Sequence, residues 1–287
     1  MQAVLAQRFQ LGECPRWDEQ TQVIWWVDIN KQQLHRLSTV SGEHQFRQFA
    51  EEIGCFALRE SGGLVLAGRT GLWLLDNIYG TMRHIGDPES DLPKQRFNDG
   101  RCDSAGRFIA GTMNPDKNET FGRFYQLSGD YFIRPLIGCS WTCNGLAFSP
   151  DKRTLYWSDT PQRSIYQCDY DPKTGEATNQ RLFYQVSEEK GRPDGGSVDS
   201  QGNYWSALYA GGEILCISPQ GELLQVLKVP VTNPTMVTFG GQDLQTMYIT
   251  SACQKITAEQ LAENPMEGML LSCPAPYPGL VESRFAG

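Results

Sequence analysis

A polar turn followed by an apolar, aromatic-rich strand recurs six times along the 287 residues of this chain, and nothing else in it constrains the fold as strongly. The turns begin at Asp18 (before Val23-Ile24-Trp25-Trp26), Arg59 (before Leu64-Val65-Leu66) and Asp103 (before Phe108-Ile109-Ala110). The others begin at Ser149 (before Leu155-Tyr156-Trp157), Asp199 (before Tyr204-Trp205) and Gly240 (before Met247-Tyr248-Ile249). Successive anchors lie 41, 44, 46, 50 and 41 residues apart, the length of a four-stranded propeller blade. A third strand is expected after each hairpin, for instance over residues 71–75, 123–127, 164–169 and 213–218. The period therefore predicts an all-β chain: a six-bladed β-propeller of four-stranded blades, filling residues 1–287 as one domain. The segment from Ala3 to Phe9 is strand-like and is expected to pair with the last repeat, closing the ring and removing its open edge. Thr257-Ala-Glu-Gln reads as a capping box, with Gln260 three residues after Thr257. It predicts a short helix inserted in the sixth blade and stopped by Pro265. A long β-sandwich is the rival architecture; irregular strand spacing would favour it, and the regular period argues against it.

Composition narrows the function classes. A net charge of −8 with no Lys/Arg block leaves no basic stripe for nucleic acid. No apolar run reaches membrane-span length. Met1 to Phe9 lacks the charged-then-apolar pattern of a signal peptide, so a cytoplasmic location is expected. Nine cysteines without a C-x-x-C pair, mostly in apolar strand contexts, read as reduced thiols rather than disulfides or a zinc site. The three histidines, His35, His44 and His84, have no metal-like spacing and are expected on strand or loop surfaces. Gly195-Gly196-Ser197 lacks the final glycine of a nucleophile elbow, which argues against a Ser-His-Asp hydrolase.

The repeat also aligns the polar residues. Five residues before each turn anchor stand Glu13, Gly54, Asn98, Asn144, Asp194 and Thr235. Equivalent positions of a propeller lie at one height around its axis, so these six are expected to form a ring where the innermost strands begin. Carboxylates and amides without His or Cys are the donor set of a hard divalent cation, and two like charges facing one channel need a cation between them. Singly, Asn98-Asp99-Gly100, Asn144-Gly145 and Asp194-Gly195 read equally as hairpin-turn signals. Their shared register, and Glu13 at the same offset in the sequence Glu-Cys-Pro, favour the metal. Asp99 is expected to fix a turn, and Arg96 alone reads equally as a rim ion pair.

With those residues in view, the chain resembles the gluconolactonase family that includes regucalcin, the senescence marker protein. The similarity lies in Leu11-Gly-Glu-Cys-Pro-Arg-Trp-Asp, in the stretch from Arg96 to Met113, in Asn144-Gly-Leu-Ala-Phe-Ser and in Pro193-Asp-Gly-Gly-Ser-Val-Asp. Tyr209-Ala-Gly-Gly and the closing Arg284-Phe-Ala-Gly also fit. The resemblance implies a divalent metal, one of Ca²⁺, Zn²⁺, Mn²⁺, Mg²⁺ or Fe²⁺, held by Glu13, Asn144 and Asp194. It implies substrate contacts from Arg96 and Asn98, and Asp194 as the group that shuttles the proton. A family acidic residue that touches substrate falls on Asp116, here the shorter carboxylate, and Cys14 stands where the family usually has glycine. The implied activity is metal-dependent hydrolysis of sugar lactones of the gluconolactone and xylonolactone type, by a monomer or weak dimer. The alternatives are a non-catalytic calcium-binding propeller or interaction platform, and a related metal-dependent esterase or organophosphate hydrolase.

Overall fold

The computed structural model describes residues 1–116 and 122–287, with the backbone alone over 137–140. It consists of six four-stranded antiparallel sheets arranged as a six-bladed β-propeller. The inner strands are Gly12–Asp18, Ile53–Leu58, Arg96–Cys102, Cys143–Phe148, Arg192–Val198 and Pro234–Gly240. Each packs against the next around the ring, and the last packs against the first. Third strands run over Gly71–Leu75, Gly122–Leu127, Ser164–Tyr170 and Glu213–Ile217, within two residues of the expected bounds.

The recurring aromatics are what hold blade to blade. Trp17 of blade one stacks on Tyr248 of blade six with centroids 5.6 Å apart, and Phe124 of blade three meets Trp157 of blade four at 6.0 Å. Tyr156 and Tyr204 join blades four and five at 5.4 Å, and Trp205 and Phe239 join five and six at 6.4 Å. Each such pair adds about 0.5–1.5 kcal/mol beyond the area it buries, and strands that alternate large rings suit a surface covered on both sides.

The ring closes through the N-terminus. Gln2 and Ala3 pair with Ser272 and Leu271 as the outermost strand of the sixth sheet. The strand is shorter than the expected Ala3 to Phe9, and the reason is geometric: the chain must travel from the outer edge of blade six to the innermost strand of blade one. It does so as an irregular crossing, in which Phe9 donates to Gly268 O (2.7 Å) and accepts from Cys253 N (3.0 Å). The Phe9 ring is driven into the core against Trp26 and His35. The helix Ala258–Glu263 has Thr257 as its N-cap and both hydrogen bonds of the capping box.

Every inner strand carries a register break at the same place, after Glu13, Ile53, Phe97, Asn144, Pro193 and Pro234. A β-bulge re-aims side chains and sharpens the local twist. The dipeptides that read as hairpin-turn signals therefore lie inside strands, at bulges. The irregular backbone accounts for Cys14 at φ 50° and Gly145 at φ 64°; the left-handed conformation at position 14 is one that glycine takes at least cost. At the other end of the inner strands the C-terminal segment ties the blades together. Arg284 pairs with Asp18 (2.6 Å), Phe285 exchanges backbone bonds with Leu58 and Glu60, and Ala286 donates to Gly106 O.

Eight cysteines are free thiols, six of them buried; Cys139 lies outside the described side chains. His35 corrects an expectation: it is fully buried, packed against both Trp26 and His44. Burial, with His44 beside it, depresses its pKa to about 3. Among the described residues no helix is long and apolar enough to cross a membrane.

Two outcomes follow from this packing. An ideal Cβ on Gly54 would stand 2.2 Å from the Phe97 carbonyl oxygen of the next inner strand, so Gly54→Ala should cost roughly 1–3 kcal/mol or more, read as a lowered urea midpoint. His35 is neutral when folded and takes up a proton on unfolding below its ordinary pKa of about 6.5. Stability should fall as pH drops from about 6.5 towards 3. His35→Phe keeps the ring stack and should flatten that limb of the pH–stability curve; an unchanged slope would count against the assignment.

Candidate functional site

A cavity of about 250 Å³ opens where the inner strands begin. Glu13, Asn98, Asn144 and Asp194 line it, together with Leu11, Arg96, Thr142 and Arg192, each two residues earlier. The bulges let four blades aim these pairs at one point. The remaining two positions of the expected ring do other work. Gly54 makes room for the neighbouring backbone, and Thr235, fully buried, spends its hydroxyl on Gly12 O (2.5 Å) and Thr250 (2.9 Å), joining blade six to blade one.

A chain of side-chain hydrogen bonds crosses the floor. Arg96 Nη1 donates to Asn98 Oδ1 (2.9 Å), Asn98 Nδ2 to Asn144 Oδ1 (2.6 Å), and Asn144 Nδ2 to Asp194 Oδ1 (2.6 Å) and Thr160 Oγ1 (2.9 Å). Glu13 completes the group, with its own carboxylate accepting from the Cys14 N–H at 3.2 Å. Removal from water, then the charges of Asp194 and Asp99, push the Glu13 carboxyl well above its ordinary range. Arg96 is pushed down to about 10, chiefly by burial, and still carries its charge at neutral pH.

Two buried carboxylates, close enough for the Asp194 charge to raise the Glu13 carboxyl, next to a side-chain amide, are the surroundings in which a hard divalent cation is favoured. These residues fit such an ion. Ligation by Asn144 requires its amide to turn so that Oδ1 faces the carboxylates; the Thr160 hydroxyl can donate as well as accept and keeps a partner either way. Among the described residues no cluster of three or more His, Cys, Asp or Glu side chains is arranged to hold a metal; the trio that meets here is two carboxylates and an amide. Thr142 Oγ1 is buried and has no hydrogen-bond partner among the described residues, the situation of a group that waits for a ligand.

The expected residues thus divide. Glu13, Arg96, Asn98, Asn144 and Asp194 meet in one cavity. Asp116 does not line it: the side chain is exposed and pairs with Lys94 at 3.2 Å, while Pro115 and Met113 of the same segment reach the cavity. Asp99 is no turn residue. It lies within a strand and accepts from Gly100 N (2.8 Å) and from Leu146 N of the next blade (2.9 Å), and it faces Arg16 of blade one at 3.6 Å. Below the floor, Arg16 and Arg101 fill the channel, Arg101 pairing with Glu282 of the C-terminal segment at 3.3 Å. Thr142, Arg192, Tyr209 and Lys255 of the cavity wall were not singled out from sequence. Moving two residues back from the ring positions would have found the first two.

Comparison with known proteins now becomes informative. The SMP-30/Gluconolactonase/LRE-like region matches residues 11–253. The chain belongs to this family. It is 40% identical to a 6-deoxy-6-sulfogluconolactonase of Pseudomonas putida over 287 residues, covering 100% of this chain and 99% of the relative. It is 32% identical to an L-arabinolactonase of Azospirillum brasilense, covering 98% and 93%. Among solved structures, a calcium-binding protein, regucalcin, from Agrobacterium tumefaciens superposes with a TM-score of 0.94 at 26% identity, covering 99% of this chain and 96% of that one.

The buried pair under the floor gives a prediction of its own. Removing one partner of a buried ion pair strands the other charge and costs about 3–5 kcal/mol. Asp99→Ala should therefore lower the thermal midpoint by several degrees, through loss of its bonds to blades one and four.

Proposed function

We propose that this chain hydrolyses sugar lactones to aldonic acids, using one divalent cation held by Glu13, Asn144 and Asp194. The observation that carries the reading is the convergence, from three blades, of two mutually repelling buried carboxylates and an amide on the floor of a cavity whose wall holds Arg96 and a Thr142 hydroxyl without a partner among the described residues. The lactonase names of relatives that match nearly the whole chain support the reaction class.

A lactone is a ring-closed ester; opening it needs a polarised carbonyl, an attacking water and a proton for the departing ring oxygen. A divalent cation at this floor would supply the first and sharpen the second. Asp194 is suited to take the water's proton and return it to the ring oxygen, because its carboxylate is buried and lines the cavity together with Glu13 and Asn144. Arg96 and Asn98 are suited to orient the sugar: the guanidinium is desolvated and cationic, and the amide can both donate and accept. Most polar groups of the wall are neutral donors and acceptors, which suits a polyhydroxylated ring.

A non-catalytic calcium-binding propeller is the second reading, favoured by the description of the Agrobacterium structure as a calcium-binding protein. The two separate cleanly. The protein should contain about one equivalent of metal by elemental analysis and acidify gluconolactone and xylonolactone solutions, and a chelator should abolish the acidification. Asp194→Ala should lose both metal and activity, and Arg96→Ala should lose activity while keeping metal. Metal binding without hydrolysis of any lactone would leave the calcium-binding reading; full lactonase activity in Asp194→Ala would defeat the site assignment.

A further inference from the structure

The charge at the mouth of the cavity does not match the charge of the chain. The protein carries a net −8, yet three cations, Arg96, Arg192 and Lys255, line a cavity whose acids are Glu13 and Asp194. Two carboxylates offset one divalent cation, so a loaded floor is neutral and the cations of the wall stand uncompensated. Arg96 is engaged with Asn98 Oδ1 and Phe97 O. Arg192 and Lys255 differ: both are exposed, and neither side chain has a hydrogen bond or ion pair among the described residues. Other cations near exposed acids are taken up, as Lys190 is by Glu213 at 2.6 Å and Lys94 by Asp116.

Their placement is built in. Arg192 opens the fifth inner strand two residues before Asp194, and both line the cavity, as Arg96 and Asn98 do. Its cross-strand partner is Tyr209, another wall residue. Lys255 lies on the segment leading to the blade-six helix, with φ at 64°, a conformation that costs a non-glycine residue free energy and concentrates at functional sites. The residue before it is pinned by Asn30 Nδ2, which donates to Gln254 Oε1 at 3.0 Å.

We propose that the lactone taken by this site carries an anionic substituent, a sulfonate or a phosphate, on the end of the sugar remote from the reacting carbonyl, and that Arg192 and Lys255 receive it. A planar guanidinium offers two parallel donors to such a tetrahedral anion, and an ammonium adds a movable third. The proposal rests on the lactonase reading above. It makes Arg192 and Lys255 specificity residues: they bind the far end of the substrate and take no part in the ring opening.

The test compares the metal-loaded wild type with Arg192→Ala/Lys255→Ala on gluconolactone and on its 6-sulfo (6-deoxy) and 6-phospho counterparts. The wild type should favour an anionic lactone in kcat/KM by about tenfold or more, as charge-assisted hydrogen bonds imply. That ratio should collapse by a similar factor in the double variant, through KM, and should shrink with rising salt. The two analogues distinguish a sulfonate from a phosphate. Equal kcat/KM for neutral and anionic lactones in the wild type, or an unaltered ratio in the variant, overturns the proposal while lactonase activity stands. Should no lactone be opened, the lactonase reading falls, and calorimetric binding of 6-phosphogluconate and 6-sulfo-6-deoxygluconate against gluconate still decides. A preference for the anion that the double variant loses upholds the subsite, and no preference sinks it.

Discussion

Six inner strands stand around one axis and turn polar side chains into a space that holds little water; a charge there must find a partner or pay the full cost of desolvation. At the end closed by the C-terminal segment the protein supplies partners itself. Arg16 faces Asp99, and Arg101 faces Glu282. At the open end the partners are mostly neutral: Glu13 and Asp194 share a floor with amides and a hydroxyl, and the guanidinium of Arg96 is turned to Asn98. One channel thus has a half closed by ion pairs and a half built on amides and carboxylates. The first holds the blades in register, and the second opens into the cavity.

The bulges make that division possible. A regular strand would point residues 13, 98, 144 and 194 along the channel at spacings fixed by pleat alone. An extra residue in each inner strand rotates the side chain at the opening inward while the rest of the strand keeps its pairing. The same feature explains why sequence reasoning on turn chemistry misjudged these dipeptides. Asn-Gly and Asp-Gly are turn signals whether the irregular backbone serves a hairpin or a bulge; the periodic offset marked these positions as a shared ring without revealing the bulges.

Much of the fold was legible because a propeller writes its period into the chain. The aromatic second strands and Asp/Gly turns placed every blade, and the capping box at Thr257 placed the helix. The floor of the site was legible for the same reason, since Glu13, Asn98, Asn144 and Asp194 occupy one repeat position. What depends on three-dimensional neighbours was not. Gly54 is small because Phe97 passes close by, Thr235 faces blade one rather than the channel, and His35 is buried because the crossing segment lays Phe9 over it. Asp116 is held outward by Lys94, a pairing from a different loop. No periodicity carries such information.

The pairing of Gln2 and Ala3 with Leu271 and Ser272 also has a bearing on how the chain is made. A strand that precedes all six blades in the chain belongs to the sheet that is finished last. Early blades can gather locally, through hairpins close in sequence, but the circle stays open until residues 271–274 have been made. Until then the edge strands of blades one and six are bare, and such edges invite mispairing with other chains. The link that makes the finished ring hard to open is therefore also its slowest to form.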